Sequence, residues 1–333
     1  MVLSNMWNIL VTEPKVYCEE CLSILGELGN VVSREMSRAE LLDSINTFAI
    51  LMVGLETRAD RELLERANAL RIIGSPTTGL DHIDTSYARQ KGIKVVSLKG
   101  EREFLEGVNA SVEHTFALLL SLVRKIPWAF DSVRNEKWVR NKFFGTELNG
   151  KTLGIIGLGR IGTKVSKVAK SFGMKVVAFD PYTDTGRVRL ADLDSLLEEA
   201  DIISINAELT PETENMISSR EFELMRRKPI LINTARGKIV NEDALLNALE
   251  KGLISGAAVD VLSNEVTSDE PLKDNPLVSY ARQNDNLIIT PHLGGATCES
   301  MKATQIYIAK KIKGVVNRSS SRECDYKDGG DYD

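Results

Sequence analysis

Apolar residues along this chain come in short runs, separated by longer stretches in which they recur at helical spacing. In the first hundred residues the runs "WNILVTE", "FAILMVG", "RIIGSPTTGLDHID" and "IKVVSL" read as strands, and helical patterns run through "CLSILGELG" and "RELLERANAL". Strands alternating with helices predict a parallel sheet with helices on its faces. From Ala110, "ASVEHTFALLLSLVRKIPWAF" predicts one long apolar helix stopped near Pro127, with more apolar surface than a single core requires. After "NGK" the alternation resumes. Strands are expected in "TLGIIGLG", "KVVAFDP", "DIISIN", "PILINTA", "GAAVDV" and "NLIITPH", with helices through "TKVSKVAKSFG", "LDSLLEEA" and "EDALLNALEKG". Such a series is what a doubly wound nucleotide-binding sheet requires. A last helix, "ESMKATQIYIAKKIKGVVN", has no strand after it and is expected to return to the first domain.

Composition narrows the function more than the fold. The 333 residues, 43% hydrophobic and 27% charged, suit about two domains. A net charge of -5 and a pI near 5.5 argue against nucleic acid or anionic lipid as the main partner. No run approaches the roughly 20 apolar residues that cross a bilayer, and "MVLSNMWNILVTEPK" lacks the pattern of a secretory signal. A cytoplasmic protein without a membrane partner is expected. Cys18 and Cys21 have the spacing of half a zinc site, but Cys298 and Cys324 are distant and no histidine completes it. Two thiols on neighbouring turns of a helix, and no metal, are expected instead. The end, "SSSRECDYKDGGDYD", is polar and acidic and reads as a loose tail over 319–333, with a run at Asp325 to Asp328 like an epitope tag.

The densest signal is "LGIIGLGRIG". It follows an apolar strand and opens a helix. In that setting Gly157 permits a tight turn, Gly159 lets a phosphate approach the backbone, and Gly162 lets the helix lie close to the strand. The helix start then offers free N–H groups and a positive dipole to a pyrophosphate. An acidic residue is expected about 20 positions on, to hold ribose hydroxyls. Asp180 ends "KVVAFD" at that place, and its charge would repel a 2′-phosphate, so the expected cofactor is NAD rather than NADP.

A nicotinamide that exchanges hydride leaves a proton for the protein to handle. Among His82, His114 and His292, the last follows a strand in "TPHLGG", where loops face the ligand crevice. It is the candidate acid/base. His114 reads as a core or interface residue and His82 as part of a turn. Glu265, shortly after "GAAVDV", is placed to stabilise an imidazolium at His292. Arg236, after "LINTA", offers a guanidinium fork that suits a carboxylate and the adjacent carbonyl oxygen.

The motifs "GLGRIG", "NTARG", "GAAVDVLSNE" and "TPHLGG", in this order, resemble the D-isomer-specific 2-hydroxyacid dehydrogenases over essentially the whole chain before the tail. The resemblance implies an α/β fold of two doubly wound parallel-sheet (Rossmann-like) domains. A substrate domain of residues 1–102 and 294–318 would be discontinuous in sequence, and 103–293 would form the NAD-binding domain with a dimerisation helix. It implies Arg236, Glu265 and His292 as the catalytic residues. Cofactor contacts would come from Gly157, Gly159, Arg160, Ile161, Gly162, Asp180, Ala207, Thr234, Ala235, Arg236, Asp260, His292 and Gly294. Backbone N–H groups near Thr77, Thr78 and Gly79 would meet the carboxylate of a 2-hydroxy or 2-keto acid, with Arg236. A homodimer built on long helices is also implied.

"EKWVRNKFFGTELNGKTLGIIGLGRIG" and "SFGMKVVAFDP" look most like the D-3-phosphoglycerate dehydrogenases within that family. Departures set the chain apart. Gly54 and Ser75 stand where those enzymes use arginines for the substrate phosphate, leaving Arg58 or Lys99 as compensating cations. Val266 replaces a usual proline, Asn206 a common histidine, and no regulatory amino-acid-binding domain is expected. The leading expectation is an NAD-dependent dehydrogenase of a small D-2-hydroxy acid. Its alternatives are 3-phosphoglycerate oxidation in serine synthesis and an NADH-sensing corepressor-like binding protein.

Overall fold

Five strands, β1 (Trp7–Val11), β2 (Gly29–Ser33), β3 (Ile50–Met52), β4 (Ile72–Gly74) and β5 (Lys94–Val96), pair in parallel in the order β2-β1-β3-β4-β5. The computed structural model describes residues 7–183, 186, 188–265, 272 and 274–325, so Val266 and the run 326–328 lie outside the described residues. Successive side chains of a strand point to opposite faces. Ile9 and Val11 therefore join Ile50 and Met52 on one face, packed with Cys21 and Leu25 of the helix Glu19–Gly26 and with Ile308 and Ile312 of the last helix. Leu10 and Leu51 join the other, with Leu41, Leu63, Leu64 and Ala88. Both sets are buried, as a parallel sheet covered on two faces demands. Truncating one such residue, Ile9→Ala, would cost about 2–5 kcal/mol.

Strand β2 and the helix Arg38–Ser44 have no counterpart among the elements expected from the apolar pattern. The segment "GNVVS" contains glycine, asparagine and serine and forms a half-buried edge, so it lacks the continuous apolar run of a central strand. The helix after it is set by its cap: Ser37 Oγ accepts Glu40 N–H, and the Glu40 carboxylate accepts Ser37 N–H.

The chain divides into two compact units, Met1–Val108 with Thr297–Asp333, and Asn109–Ala296. The first division falls later than the expected 102/103, because Leu105 is buried in the same core as Val96 and Leu98. The last helix, Cys298–Asp325, runs past Arg318, so the segment expected as a loose tail from residue 319 begins as helix. Neither glycine nor proline interrupts residues 315–325, and each added residue of an established helix gains a hydrogen bond.

In the second unit β6 (Thr152–Ile156), β7 (Lys175–Phe179), β8 (Arg189–Leu190), β9 (Ile202–Ile205), β10 (Ile230–Asn233), β11 (Gly256–Val259) and β12 (Leu287–Ile289) form a parallel sheet ordered β12-β11-β10-β9-β6-β7-β8. The chain winds one way from β6 to β8 and the other way from β9 to β12. The order reverses between β6 and β9, the kind of place where open α/β sheets bind ligands. The apolar stretch from Ala110 is two helices, not one. The first, Ala110–Val123, lays Val112, Phe116, Leu119 and Leu122 against Ile155, Ala178, Ile232 and Ala258 of the sheet. Lys125 takes φ 57°, and a second helix, Ile126–Arg134, begins with Pro127 in its first turn. Proline there starts a helix rather than stopping one, since its missing N–H is not needed in the first turn.

Candidate active site

The glycines of "GLGRIG" meet three different demands. Gly157 adopts φ 91°, and a Cβ on it would lie 2.7 Å from the backbone nitrogen of Ala207, in the turn after β9. A Cβ at Gly162 would lie 2.1 Å from the carbonyl oxygen of Gly157. These two positions exclude side chains for reasons internal to the protein. Gly159 has no such reason: nothing lies within 4 Å of where its Cβ would be. It precedes the helix Arg160–Ser171, whose start has no side-chain cap. Open space beside uncapped N–H groups is what a pyrophosphate needs. Arg160 and Ile161, the first two helical residues, are half-buried beside it.

Asp180 closes this turn. Its Oδ2 accepts Leu158 N–H at 2.7 Å and its Oδ1 accepts Tyr182 N–H at 2.9 Å. Each carboxylate oxygen retains a lone pair for a ribose hydroxyl. The neighbouring Asn206 donates its backbone N–H to Ile156 O at 2.7 Å and its amide to Ser204, while its Oδ1 is buried without a hydrogen-bond partner.

The loop after β10 is shaped by Asn233, fully buried and absent from the residues singled out in the sequence. Its Oδ1 accepts Ala235 N–H at 3.0 Å and its Nδ2 donates to Arg236 O at 2.9 Å, which fixes the path of Thr234–Ala235–Arg236. Thr115 Oγ1 donates to Ser111 O, so the 2.9 Å contact between Thr115 and Thr234 has Thr234 as donor. Arg236 Nη1 donates to Ala235 O at 2.7 Å. A Cβ on the next residue, Gly237, would lie 2.0 Å from the carbonyl carbon of Leu262, so this loop abuts the one that leads to Glu265.

His292 and Glu265 meet. Nδ1 of the ring lies 2.7 Å from Glu265 Oε2, with the two side chains 24% and 39% exposed. His292 has φ 54°, and its N–H donates to Asp260 O at 2.8 Å. Asp260 itself is buried beneath the loop. Its carboxylate accepts Leu293 N–H at 2.8 Å, Gly294 N–H at 2.7 Å and Thr290 Oγ1 at 2.5 Å, and His114 Nε2 lies 3.0 Å from it. His114 is therefore more than a packing residue.

In the first unit the loop after β4 carries Thr77, Thr78 and Gly79. Thr77 Oγ1 donates to Gly79 O at 2.7 Å and lies 2.8 Å from Ser75 Oγ, which is 3.2 Å from His82 Nε2. Ser75 is fully buried and its hydroxyl is spent on this loop. At the end of β3, a Cβ on Gly54 would lie 2.0 Å from Glu13 Oε2, and Glu13 Oε1 accepts the N–H groups of Gly54 and Thr57. Burial raises the carboxyl of Glu13 above its usual range, against the hydrogen bonds that lower it. Neither Gly54 nor Ser75 offers a cation.

Cys18 precedes the helix Glu19–Gly26 and Cys21 lies buried within it, both as free thiols; burial pushes the Cys21 thiol up to about 12. Among the described residues no cluster of histidine, cysteine or carboxylate side chains is arranged to hold a metal ion. None of the described helices is long and apolar enough to cross a membrane.

Comparison with known proteins gives the chain's relatives. The family model "D-isomer specific 2-hydroxyacid dehydrogenase, NAD binding domain" matches residues 116–294. A D-3-phosphoglycerate dehydrogenase of Methanocaldococcus jannaschii is 39% identical over 318 residues, covering 93% of this chain and 58% of its own length. The human D-3-phosphoglycerate dehydrogenase is 34% identical over 333 residues, covering 95% and 60%. The chain thus spans little more than half the length of the curated relatives it matches. A crystal structure of a D-lactate dehydrogenase from Aquifex aeolicus, complexed with NAD and lactic acid, superposes with a TM-score of 0.82 at 29% identity, covering 94% of this chain and 96% of that one.

Proposed function

The chain belongs to the D-isomer-specific 2-hydroxyacid dehydrogenase family, and on that premise we propose that it interconverts a small D-2-hydroxy acid and its 2-keto acid by hydride exchange with NAD. The observation that carries the reading is the 2.7 Å contact between His292 Nδ1 and Glu265 Oε2. A carboxylate only accepts, so the proton on that side belongs to Nδ1, and Nε2 is left as the atom that gives or takes the substrate proton. Glu265 stabilises the imidazolium and fixes the plane of the ring. Arg236, on the loop ordered by Asn233, serves the substrate carboxylate and the carbonyl oxygen on which charge develops.

NAD, when bound, supplies the hydride acceptor or donor. The turn at Gly159 with Arg160 and Ile161 would hold its pyrophosphate, and Asp180 its adenosine ribose. Ala207, the Thr234–Arg236 loop, Asp260 and the loop from His292 to Gly294 would line the rest of it. In the first unit, backbone N–H groups of Thr77, Thr78 and Gly79 would bind the substrate carboxylate. Purified protein mixed with NADH and a panel of 2-keto acids tests the reading through absorbance at the nicotinamide band. No turnover by protein shown to bind NADH would sink it.

The similarity to phosphoglycerate dehydrogenases favours a second reading, oxidation of D-3-phosphoglycerate. Against it stand Gly54 and Ser75, since a phosphate dianion needs cationic partners. Complementation of a serine auxotroph decides between them. A homodimer is part of the first reading, supported by the exposed Phe130 (62%), Trp138 (88%) and Phe144 (71%) on and after the helix Ile126–Arg134. A monomer by sedimentation at micromolar concentration would refute it. A cytoplasmic location is part of the same reading.

A further inference from the structure

The loop bearing His292 is fastened by a buried carboxylate, and that carboxylate is met by one side chain, His114, to which neither the proposed chemistry nor the cofactor gives a part. His292 sits at φ 54°, a left-handed conformation that costs a residue other than glycine about 1–2 kcal/mol, so its surroundings must hold it there. The surroundings converge on Asp260, which is 1% exposed. Oδ1 accepts from Thr290 Oγ1, Leu293 N–H and His114 Nε2, and Oδ2 accepts from Gly294 N–H, while the backbone carbonyl of Asp260 accepts His292 N–H. All of these donors but one belong to residues 290–294. The exception is His114, reaching across 146 residues of sequence from the helix Ala110–Val123.

We infer that His114 is a positioning residue for His292: by donating from Nε2 to the buried Asp260 carboxylate, it sets the orientation from which that carboxylate grips the loop. The inference rests on the proposed role of His292 as acid/base. A carboxylate accepts only, so Nε2 carries the proton in this contact. A buried carboxylate deprived of one donor turns to regain it elsewhere. Its oxygens turn by loosening Thr290, Leu293 and Gly294, the last two being the residues that follow His292. The space allows little alternative: a Cβ on Gly294 would lie 3.1 Å from Asp260 Oδ2, with the His114 ring 4.0 Å away. The helix does not depend on this bond for its place, because Val112, Phe116, Leu119 and Leu122 already anchor it to the sheet.

The test uses H114F, which removes the donor and keeps the bulk, and H114Q, whose amide can reach the same oxygen. For H114F we expect kcat with a 2-keto acid to fall by about 10- to 100-fold, the cost of a misplaced catalytic group, with NADH affinity falling by much less and the rate largely restored in H114Q. In an H292A background the H114F substitution should cause no further loss, because its effect runs through His292. Amide hydrogen exchange at Leu293 and Gly294 should quicken in H114F and recover in H114Q. T290V, which removes another donor from the same oxygen, should act in the same direction and serves if H114F does not fold. Wild-type turnover and exchange in H114F, or an equal loss with and without His292, would overturn the inference. Absence of turnover in the unmutated protein would instead remove the dehydrogenase reading, and the exchange rates would still decide whether His114 holds the loop.

Discussion

His292 Nδ1 and Glu265 Oε2 stand 2.7 Å apart although the two residues come from the ends of different strands, and neither side chain is fully buried. In the proposed chemistry the pair assigns Nδ1 to Glu265 and Nε2 to proton transfer. Replacing His292 by alanine should therefore lower kcat by about 10²–10⁴-fold, the usual worth of a general acid or base. NADH affinity should change little. Glu265→Gln keeps a hydrogen-bond acceptor but removes the charge proposed to stabilise an imidazolium at His292, and should cost less than H292A. Steady-state rates with a 2-keto acid and NADH titrations by fluorescence check both. A large loss of NADH binding in H292A would move His292 from the chemistry to the cofactor.

Asp180 holds the glycine turn and is proposed to bind the cofactor ribose, and its removal should show both. Asp180→Ala takes a negative charge from the ribose site, which should weaken NADH and narrow the gap between NADH and NADPH. It also strips the acceptor from Leu158 N–H and Tyr182 N–H, so the glycine turn should loosen. Asp180→Asn, which retains an acceptor, should spare the turn and still relax discrimination. Dissociation constants for the two cofactors separate these effects. Equal use of NADH and NADPH by the unmutated protein would contradict the assignment.

Much of this was legible in the chain because the physics was local. Central strands such as β10, with "PILI" at its start, carry unbroken apolar runs, and Gly157, Asp180, Arg236, Glu265 and His292 are unusual residue types in the segments that follow such strands. Strand β2 was not legible, since an edge strand with glycine, asparagine and serine buries too little to leave a pattern. The place of Pro127 is not legible, because proline is tolerated at a helix start and disfavoured inside one, and sequence spacing alone does not say which applies. The contact of His114 with Asp260 was beyond reach for another reason. Helical periodicity places His114 on an apolar helix, but nothing in it names a partner on another strand. Asn233 hid in the same way, next to the arginine that drew attention.

The three glycines of the turn should differ in what their alanine variants lose. Gly157→Ala forces a left-handed φ on alanine and drives a Cβ to 2.7 Å from Ala207, so folding itself should suffer, by roughly 1–3 kcal/mol for the backbone alone. Gly159→Ala meets nothing within 4 Å and should leave the melting temperature unchanged. Its methyl group would instead enter the space proposed for the pyrophosphate, and NADH affinity should fall. A Gly159→Ala protein that binds NADH as the wild type does would show that the phosphates lie elsewhere.

A last prediction concerns the helix Cys298–Asp325, which returns to the first unit after the second is complete. Glu101 accepts hydrogen bonds from both Tyr307 and Lys311 of this helix, Lys311 also donates to Ser97 O at 3.1 Å, and the Tyr307 ring stacks on Phe104 at 4.1 Å. The hydrogen bonds from Lys311 and Tyr307 lower the carboxyl of Glu101 below its usual range, while the same contact raises the phenol of Tyr307. A carboxyl that is depressed on folding contributes stability that is fully present above its unfolded value, near 4.3, and is lost as the pH falls through its folded value. Glu101→Gln should therefore melt earlier than the wild type at pH 7, and the difference should shrink as the pH drops below about 4. Added salt should reduce it too, because the side chains of Glu101 and Lys311 are partly exposed. Thermal melts of the two proteins between pH 3 and 8 measure this directly; a difference that persists unchanged at pH 3 would mean that Glu101 anchors the helix by shape and not by charge.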